Sequence, residues 1–569
     1  MQSSTHLAAV QVLAQNQLRL DVSPVDYVLL ALYFAFVLGI GYLARRSVST
    51  SLDFFLSGRS LPAWMTGLAF ISANLGAIEI MGMSATGAEY GMPTMHYFWA
   101  AAIPAMLFLG IVMMPFYYGS KVRSVPEFML RRFGPTTHLV NGITFAVAQV
   151  LIAGVNLYLL GSIVNVLLGW PLWVSVLVAA LIVLSYTTLG GLSAAIYNEV
   201  LQFFVIVAAL LPLTITGLVK VGGWQGLVDK VSAGPGGAEQ LSAWPATELT
   251  GFDNGFLSVV GIIFGLGFVL GFGYWTTNFV EVQRAMASKS MSAARRTPII
   301  GAFAKVFVPF IVMVPGMIAA VAIPDLTAYK QTGQGSIDYN DALLLLMRDL
   351  LPNGVLGIAI TGLLAAFMAG MAANLSSFNT VFTYDIWQSY VVKDRTDHYY
   401  LSMGRWVTVG ATVVAIGTAF IASGYSNLMD YLQQLFSFFN APLFATFILG
   451  LLWKRMTPAA GWTGLVAGTL SAVTVFALAE AGVLDLPGQG ASFVGAGTAF
   501  VVDIAVSVVV SLATRPKPAA QLVGLVYSLT PKESRQHSRT GEDAGWYRSP
   551  GLLAGIVLAI TIALNIIFA

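Results

Sequence analysis

Fourteen mainly apolar stretches of about 20 residues follow one another along the chain, each long enough as a helix to cross the roughly 30 Å of bilayer hydrocarbon. They lie near 26–44, 61–88, 94–118, 137–169, 172–189, 192–219, 255–282, 298–323, 354–390, 402–423, 428–453, 459–480, 492–513 and 549–568. Rich in glycine and without polar/apolar alternation, they predict a helical bundle and not a barrel. The expected fold is therefore an all-α integral membrane protein with 14 transmembrane helices.

Composition closes the soluble alternative. A chain of 569 residues could otherwise form three or four soluble domains. Only 9% of this one is charged and 57% is hydrophobic, against about 25% charged in soluble proteins. So few charges could not cover that much surface. The same figures exclude disorder, collagen-like repeats and coiled coil. There is no cysteine, hence no disulfide, thiolate metal site or catalytic thiol. A net charge of +2 implies no nucleic-acid partner.

The basic residues set orientation, because inside loops of membrane proteins are enriched in Lys and Arg. With the N-terminus outside, the inside loops hold 22 of the 28. Arg19, Lys220, Lys230, Lys330 and Arg348 fall outside, and Lys305 lies within a span. Both termini are thus expected on the extracellular or periplasmic side of a cell membrane. Residues 1–23 lack the pattern of a secretion signal and form an outer segment, followed by a first helix over 24–46. The outside loops 220–254 and 324–353 have room for short helices. The polar inside stretch 514–548 reads as a solvated linker within a C-terminal region of 459–569.

Two spans are broken by polar and small residues, as in transporters that bind solute where helices unwind near the midplane. The second holds Ser72, Asn74, Gly76 and Glu79, then Gly82 and Gly87. The seventh holds Gly267, Gly271 and Gly273, then Tyr274, Trp275, Thr276, Thr277 and Asn278. Five spans separate them, the distance expected of inverted five-helix halves, here 61–220 and 255–453. Glycines alone also serve close helix packing. That reading leaves Glu79 and Lys305 unexplained, since a charge within the bilayer costs several kcal/mol and points to a polar cavity. Glu199, Glu281 and Asp385 fall near inside ends, Glu480 near an outside end, and Asp503 lies in the C-terminal part without an assigned role. Asn156, Tyr97, Phe98 and Gln433 are placed to reach a central site, with packing as the alternative for the two aromatics; His96 is expected at the solvated outer mouth. Rings combined with amides and a carboxylate suit a neutral polyhydroxylated solute such as a monosaccharide.

The chain resembles the sodium:solute symporter family, which includes sodium/glucose cotransporters. The resemblance rests on FLSGRSLPAW (55–64), SANLGAIEIMGMSATGAEYG (72–91), SVPEFMLRRFG (124–134), YTTLGGLSAAIYNEVLQ (186–202), YWTTNFVEVQRAMASK (274–289) and LGLLWKRMTPAAG (449–461). It runs from about 24 to 480. It implies a leucine-transporter-like inverted 5+5 core, with one helix before and three after, working by alternating access. It also implies that Asn74, Glu79, Phe98, Tyr274, Trp275, Lys305 and Gln433 surround the solute, with Tyr274 as inner gate bonded to Asn74. Sugar carriers often have Gln or His at the place of Glu79 and a polar residue at that of Phe98. Asn278 and Glu199 fall on the implied gate and ion path.

The implied sodium site uses carbonyls of Ser72, Leu75 and Ala366 and two hydroxyls, whose positions here are Ala369 and Gly370. Three ligands under-coordinate a hard cation, and Ser376 and Ser377 lie about 10 Å further along the helix. Three couplings therefore stay open: sodium by the family mechanism, a proton carried by Glu79, or none. The expected partners are a small solute and membrane lipid, the protein working as monomer or weak oligomer. An enzyme is not expected. HExxH, P-loop and cysteine are missing, and His6, His96, His138, His398 and His537 are scattered. A channel, which would show a repeated pore signature, and a transporter-like receptor are the remote alternatives.

Overall fold

The computed structural model describes residues 20, 22–44, 50–76, 78–335, 337–425, 427–531, 545 and 548–569. Most of the 1–23 segment, Arg45, Arg46 and the middle of the 514–548 linker lie outside the described residues. Among the described residues there is helix and no β-strand.

Twelve helices are long and apolar enough to cross a membrane. They are α1 (Pro24–Ala44), α4 (Met92–Tyr117), α5 (Pro135–Leu168), the Leu192–Val221 part of α6 (Leu172–Val221), α7 (Gly255–Thr277), α8 (Met291–Ala322) and α9 (Val355–Val391). Then come α10 (Asp397–Ala422), α11 (Leu428–Leu452), α12 (Pro458–Glu480), α13 (Gly490–Ala513) and α14 (Pro550–Ile567). The pair α2 (Ala63–Asn74) and α3 (Ile78–Tyr90), bent by 60°, makes a thirteenth span. Helix runs through both the expected fifth and sixth spans: α6 holds a shorter apolar stretch, Leu172–Ser185, ahead of the span Leu192–Val221. Its 50 residues, at about 1.5 Å each, have the length for two crossings of the hydrocarbon. Gly190 and Gly191, between the two apolar runs, do not open the helix; a helical glycine costs only about 1 kcal/mol. Both long outer loops carry short helices, Gly223–Ser232 in one and Pro324–Thr332 and Ala342–Leu350 in the other.

Burial separates centre from rim. The apolar stretch of α9 is 89% buried, against 28% for α1 and 17% for α14, so α9 forms the axis of the bundle. Asp26 fastens α1 to it: its carboxylate accepts the Gly354 and Gly357 N–H groups at 2.7 Å, at the N-terminus of α9. Those amides have no partner within the helix, and the helix dipole favours an anion there. Ser124 caps the short helix Val125–Phe133 by accepting from Glu127 N–H. Its buried Arg132 donates to the carbonyls of Gly450, Trp453 and Met456 at 2.9–3.1 Å. Two sequence motifs more than 300 residues apart thus meet where the arginine satisfies carbonyls at the end of α11.

Near the outer side α3 and α8 cross backbone to backbone. A Cβ on Gly316 would collide with the Ser84 carbonyl oxygen, and one on Gly87 would come within 2.5 Å of Met313 O. Small residues permit such a crossing where lipid supplies no hydrophobic drive between helices. Gly316→Leu should lower the melting temperature of the solubilised protein, in keeping with an overpacking cost of about 1–3 kcal/mol or more. An unchanged melting curve would show that the crossing is not tight.

Candidate functional site

The site begins where α2 stops. Leu75 leaves helical geometry at φ −72°, ψ 49°, and α3 resumes with a widened turn over Ile78–Gly82 that carries Glu79. Such π turns recur at functional sites. A second break follows α7 at Asn278, which turns to extended backbone and caps the short helix Phe279–Met286 by accepting from Val280 N–H at 3.1 Å. Within the expected interruption, Gly267 and Gly271 lie in a widened π-helical stretch, Gly261–Gly271, Gly273 lies in α-helix, and the backbone leaves the helix at Asn278. The three glycines are contact points: a Cβ there would meet Ala100 O, Ala101 Cα and Asn440 O at 2.8–3.1 Å.

Between the breaks lies a cavity of about 90 Å³. Asn74, Glu79, Tyr274, Trp275, Lys305 and Gln433 all line it, with Tyr97 and Asn156. Phe98 is not in its wall. It is fully buried beneath Lys305, whose ammonium lies 4.8 Å from its ring centroid and 5.0 Å from that of Trp275. Lys305 ends the first half of α8, before an interruption at Val306 and Phe307. Pro309, four residues on, has no N–H to offer the Lys305 carbonyl. The ammonium donates to Glu79 Oε1 at 2.5 Å and to Asn74 Oδ1. Asn74 Nδ2 in turn donates to Tyr274 OH at 3.2 Å, and Tyr274 OH donates to Glu281 Oε1 at 2.9 Å.

Glu281, read from the sequence as an acid near an inside end, thus belongs to the site. The contact with Tyr274 is made across the break at Asn278, where helical spacing no longer applies, so spacing gave no signal for it. Asn374 and Phe436 also line the cavity and went unread; the Phe436 ring lies 4.7 Å from that of Tyr274. Buried atoms without partners face the same region, Tyr97 OH and Asn156 Oδ1.

At the implied sodium site, Ser72, Leu75, Ala366 and Ala369 are fully buried and outside the cavity wall, while Gly370 reaches it. The backbones of the α2/α3 break and α9 touch here: a Cβ on Gly370 would sit 2.9 Å from Asn156 Oδ1 and 3.1 Å from Gly76 Cα. Ser377 Oγ bonds the Ala373 and Asn374 carbonyls of its own helix. Of the residues placed on the gate and ion path, Tyr274 is in the cavity, Asn278 is a helix cap, and Glu199 is held by Arg284 Nη2 at 2.6 Å, both fully buried. Asp503 ties α13 to α11 by accepting from Thr446 and Ser507. His96, expected in solvent, is buried under the outer loop, its Nε2 2.8 Å from Ala243 O and its ring 3.9 Å from that of Trp244.

The model of the sodium:solute symporter family matches residues 54–468. The chain belongs to this family. A sodium/glucose cotransporter of Vibrio parahaemolyticus is 30% identical over 463 residues, covering 78% of this chain and 84% of its own. Sodium/glucose cotransporter 1 of Oryctolagus cuniculus is 28% identical over 556 residues, covering 91% and 83%. A solved Na+-coupled sialic acid symporter shares the fold, with a TM-score of 0.72 at 18% identity over 87% of this chain and 99% of that one. This family member is a multi-pass membrane transporter and not an enzyme.

The Glu79–Lys305 pair makes a test of how the cavity is held. Losing one partner strands the other charge at a cost of about 3–5 kcal/mol. Glu79→Gln and Lys305→Met should each lower the melting temperature, and the double variant by clearly less than the sum. Additive losses would show that the two charges do not depend on each other.

Proposed function

We propose that this transporter takes up a neutral polyhydroxylated solute, a monosaccharide, by alternating access. The observation that carries the reading is the neutral charge of the cavity: Lys305 is already matched by Glu79. A solute carboxylate would have to displace Glu79 from the ammonium, whereas hydroxyls can bond around the pair and to Asn74 and Gln433. Trp275, Tyr274 and Phe436 supply rings against which a sugar's apolar face rests. The family's cotransporters named above carry glucose in their names, which supports the same class.

In this reading the α2/α3 break and the break at Asn278 are the matched features of an inverted repeat of five and five helices, with α1 before and three helices after. Tyr274 closes the inner side by its bond to Asn74. The basic residues put both termini outside a cell membrane. A cation gradient drives uptake. Sodium is the family's ion, and the Ser72, Leu75 and Ala366 carbonyls remain to meet it. Ala369 and Gly370, which offer no hydroxyl, favour a second reading in which a proton drives uptake or no ion does.

Two outcomes are expected in proteoliposomes. Labelled D-glucose or D-galactose should enter with saturation and counterflow, and hexuronic acids should compete at least tenfold more weakly than neutral hexoses. Failure of every neutral hexose and inositol to enter or compete would remove the sugar assignment. With sodium and proton gradients imposed separately, removing sodium should reduce uptake by less than tenfold. Strict sodium dependence would remove the second reading and leave sodium.

A further inference from the structure

One carboxylate below the cavity has no cation of its own. Glu281 is fully buried on the short helix Phe279–Met286. Its Oε1 accepts from Tyr274 OH, and its Oε2 has no hydrogen-bond partner among the described residues. The segments packed against this helix are Ser51–Leu56, Ala63–Asn74, Phe272–Thr277, Met291–Lys305 and Val355–Thr380. From them Tyr274 and Lys305 face Glu281, with Arg284 of its own helix and Glu199 of α6. Asp53 of Ser51–Leu56 is engaged at its own helix start with Thr50, and Ala63–Asn74 and Val355–Thr380 contain no titratable side chain.

Both cations are already spent. Lys305 is held by Glu79 and Asn74. Arg284 donates to Glu199 Oε1 at 2.6 Å and Oε2 at 3.3 Å, and to Val280 O and Gln283 Oε1. Two cations thus stand among three carboxylates, leaving one negative charge over. A buried carboxylate without a matching cation is costly, and a bound proton removes that cost. The unpartnered Oε2 is the atom free to take it.

The proton also has a route. Tyr274 OH accepts from Asn74 at the cavity and donates to Glu281, so a hydroxyl able to do both stands between the solute space and the acid. We propose that Glu281 is a proton-binding site of the transport cycle, seated at the inner gate. A proton bonds to Oε2, turning carboxylate to carboxylic acid, and leaves toward the inside when Tyr274 moves off Asn74. Glu79, held by Lys305, is not that carrier. The proposal rests on the alternating-access role given to Tyr274 and not on the solute's identity.

The test needs no solute, so failure of the sugar assignment leaves it intact. Infrared difference spectra of the full chain in lipid vesicles are taken across a pH titration from about pH 5 to about pH 9, which brackets ordinary and raised carboxyl titrations. The native protein should show the carbonyl band of a protonated carboxylic acid that disappears as pH rises. The band should be lost in Glu281→Gln and should persist in Glu79→Gln with its midpoint moved to lower pH, because Lys305 is then no longer spent on Glu79; its midpoint should also move in Tyr274→Phe. Glu281→Asp guards against misfolding: it should restore a titrating band at a displaced midpoint. No titrating band in the native protein, an unchanged band in Glu281→Gln, or native midpoints in Tyr274→Phe or Glu281→Asp overturns the proposal.

Discussion

A lysine ammonium at the centre of an apolar bundle is the constraint around which the rest is arranged. Removing such a charge from water costs several kcal/mol unless it is paired and hydrogen-bonded. Lys305 has 1% of its side chain exposed, and its two oxygen partners come from opposite sides of one helix break. Asn74 is the last residue of α2 and Glu79 stands in the first turn of α3. The ammonium therefore spans the gap where the backbone ladder is interrupted. Its own position at the end of a half-helix puts it near free carbonyls, where a cation is favoured. Without the interruption before Pro309 the same lysine would sit in mid-helix and lose that advantage.

From this pair, polar contacts run inward as one string. Asn74, Tyr274 and Glu281 follow one another away from the cavity, and the Arg284–Glu199 pair stands beside Glu281. Aromatic rings insulate it: Phe98 and Trp275 flank the ammonium, and Phe436 lies against Tyr274. In such surroundings electrostatic interactions are strong and a missing partner is costly. A displacement of Tyr274 would break both its bonds, to Asn74 and to Glu281, so in the proposed cycle the charges and the gate are tied.

Much of this was legible in the sequence, for physical reasons that differ by residue. The spans were legible because about 20 apolar residues admit few other fates, and Glu79 and Lys305 because charge is rare against that background. Their mutual contact was not, since it joins residues 226 apart through the bend at Leu75. Gly267, Gly271 and Gly273 serve close approach as well as the widened stretch Gly261–Gly271, and only the neighbouring backbone tells which. Glu281 was set aside by its nearness to a span end, and its contact with Tyr274 depends on the break at Asn278, which no helical spacing describes.

The departures from the family pattern fit one another. A cation held by hydroxyls between the α2/α3 break and α9 would keep those elements together when bound and free them when lost. Here Ala369 offers no hydroxyl, and at Gly370 a side chain would strike Asn156 Oδ1 and the Gly76 backbone. The two elements touch directly instead, and a contact between backbones does not change with ion concentration. A switch must then lie where occupancy can still alter an energy of several kcal/mol. Among the groups joined to the break, the string of charges at Tyr274 meets that requirement. It begins at the same break, through Asn74, and reaches Glu281. The lack of hydroxyls at Ala369 and Gly370 and the acid bonded to Tyr274 thus fit the proposal that proton binding at Glu281 supplies the switch.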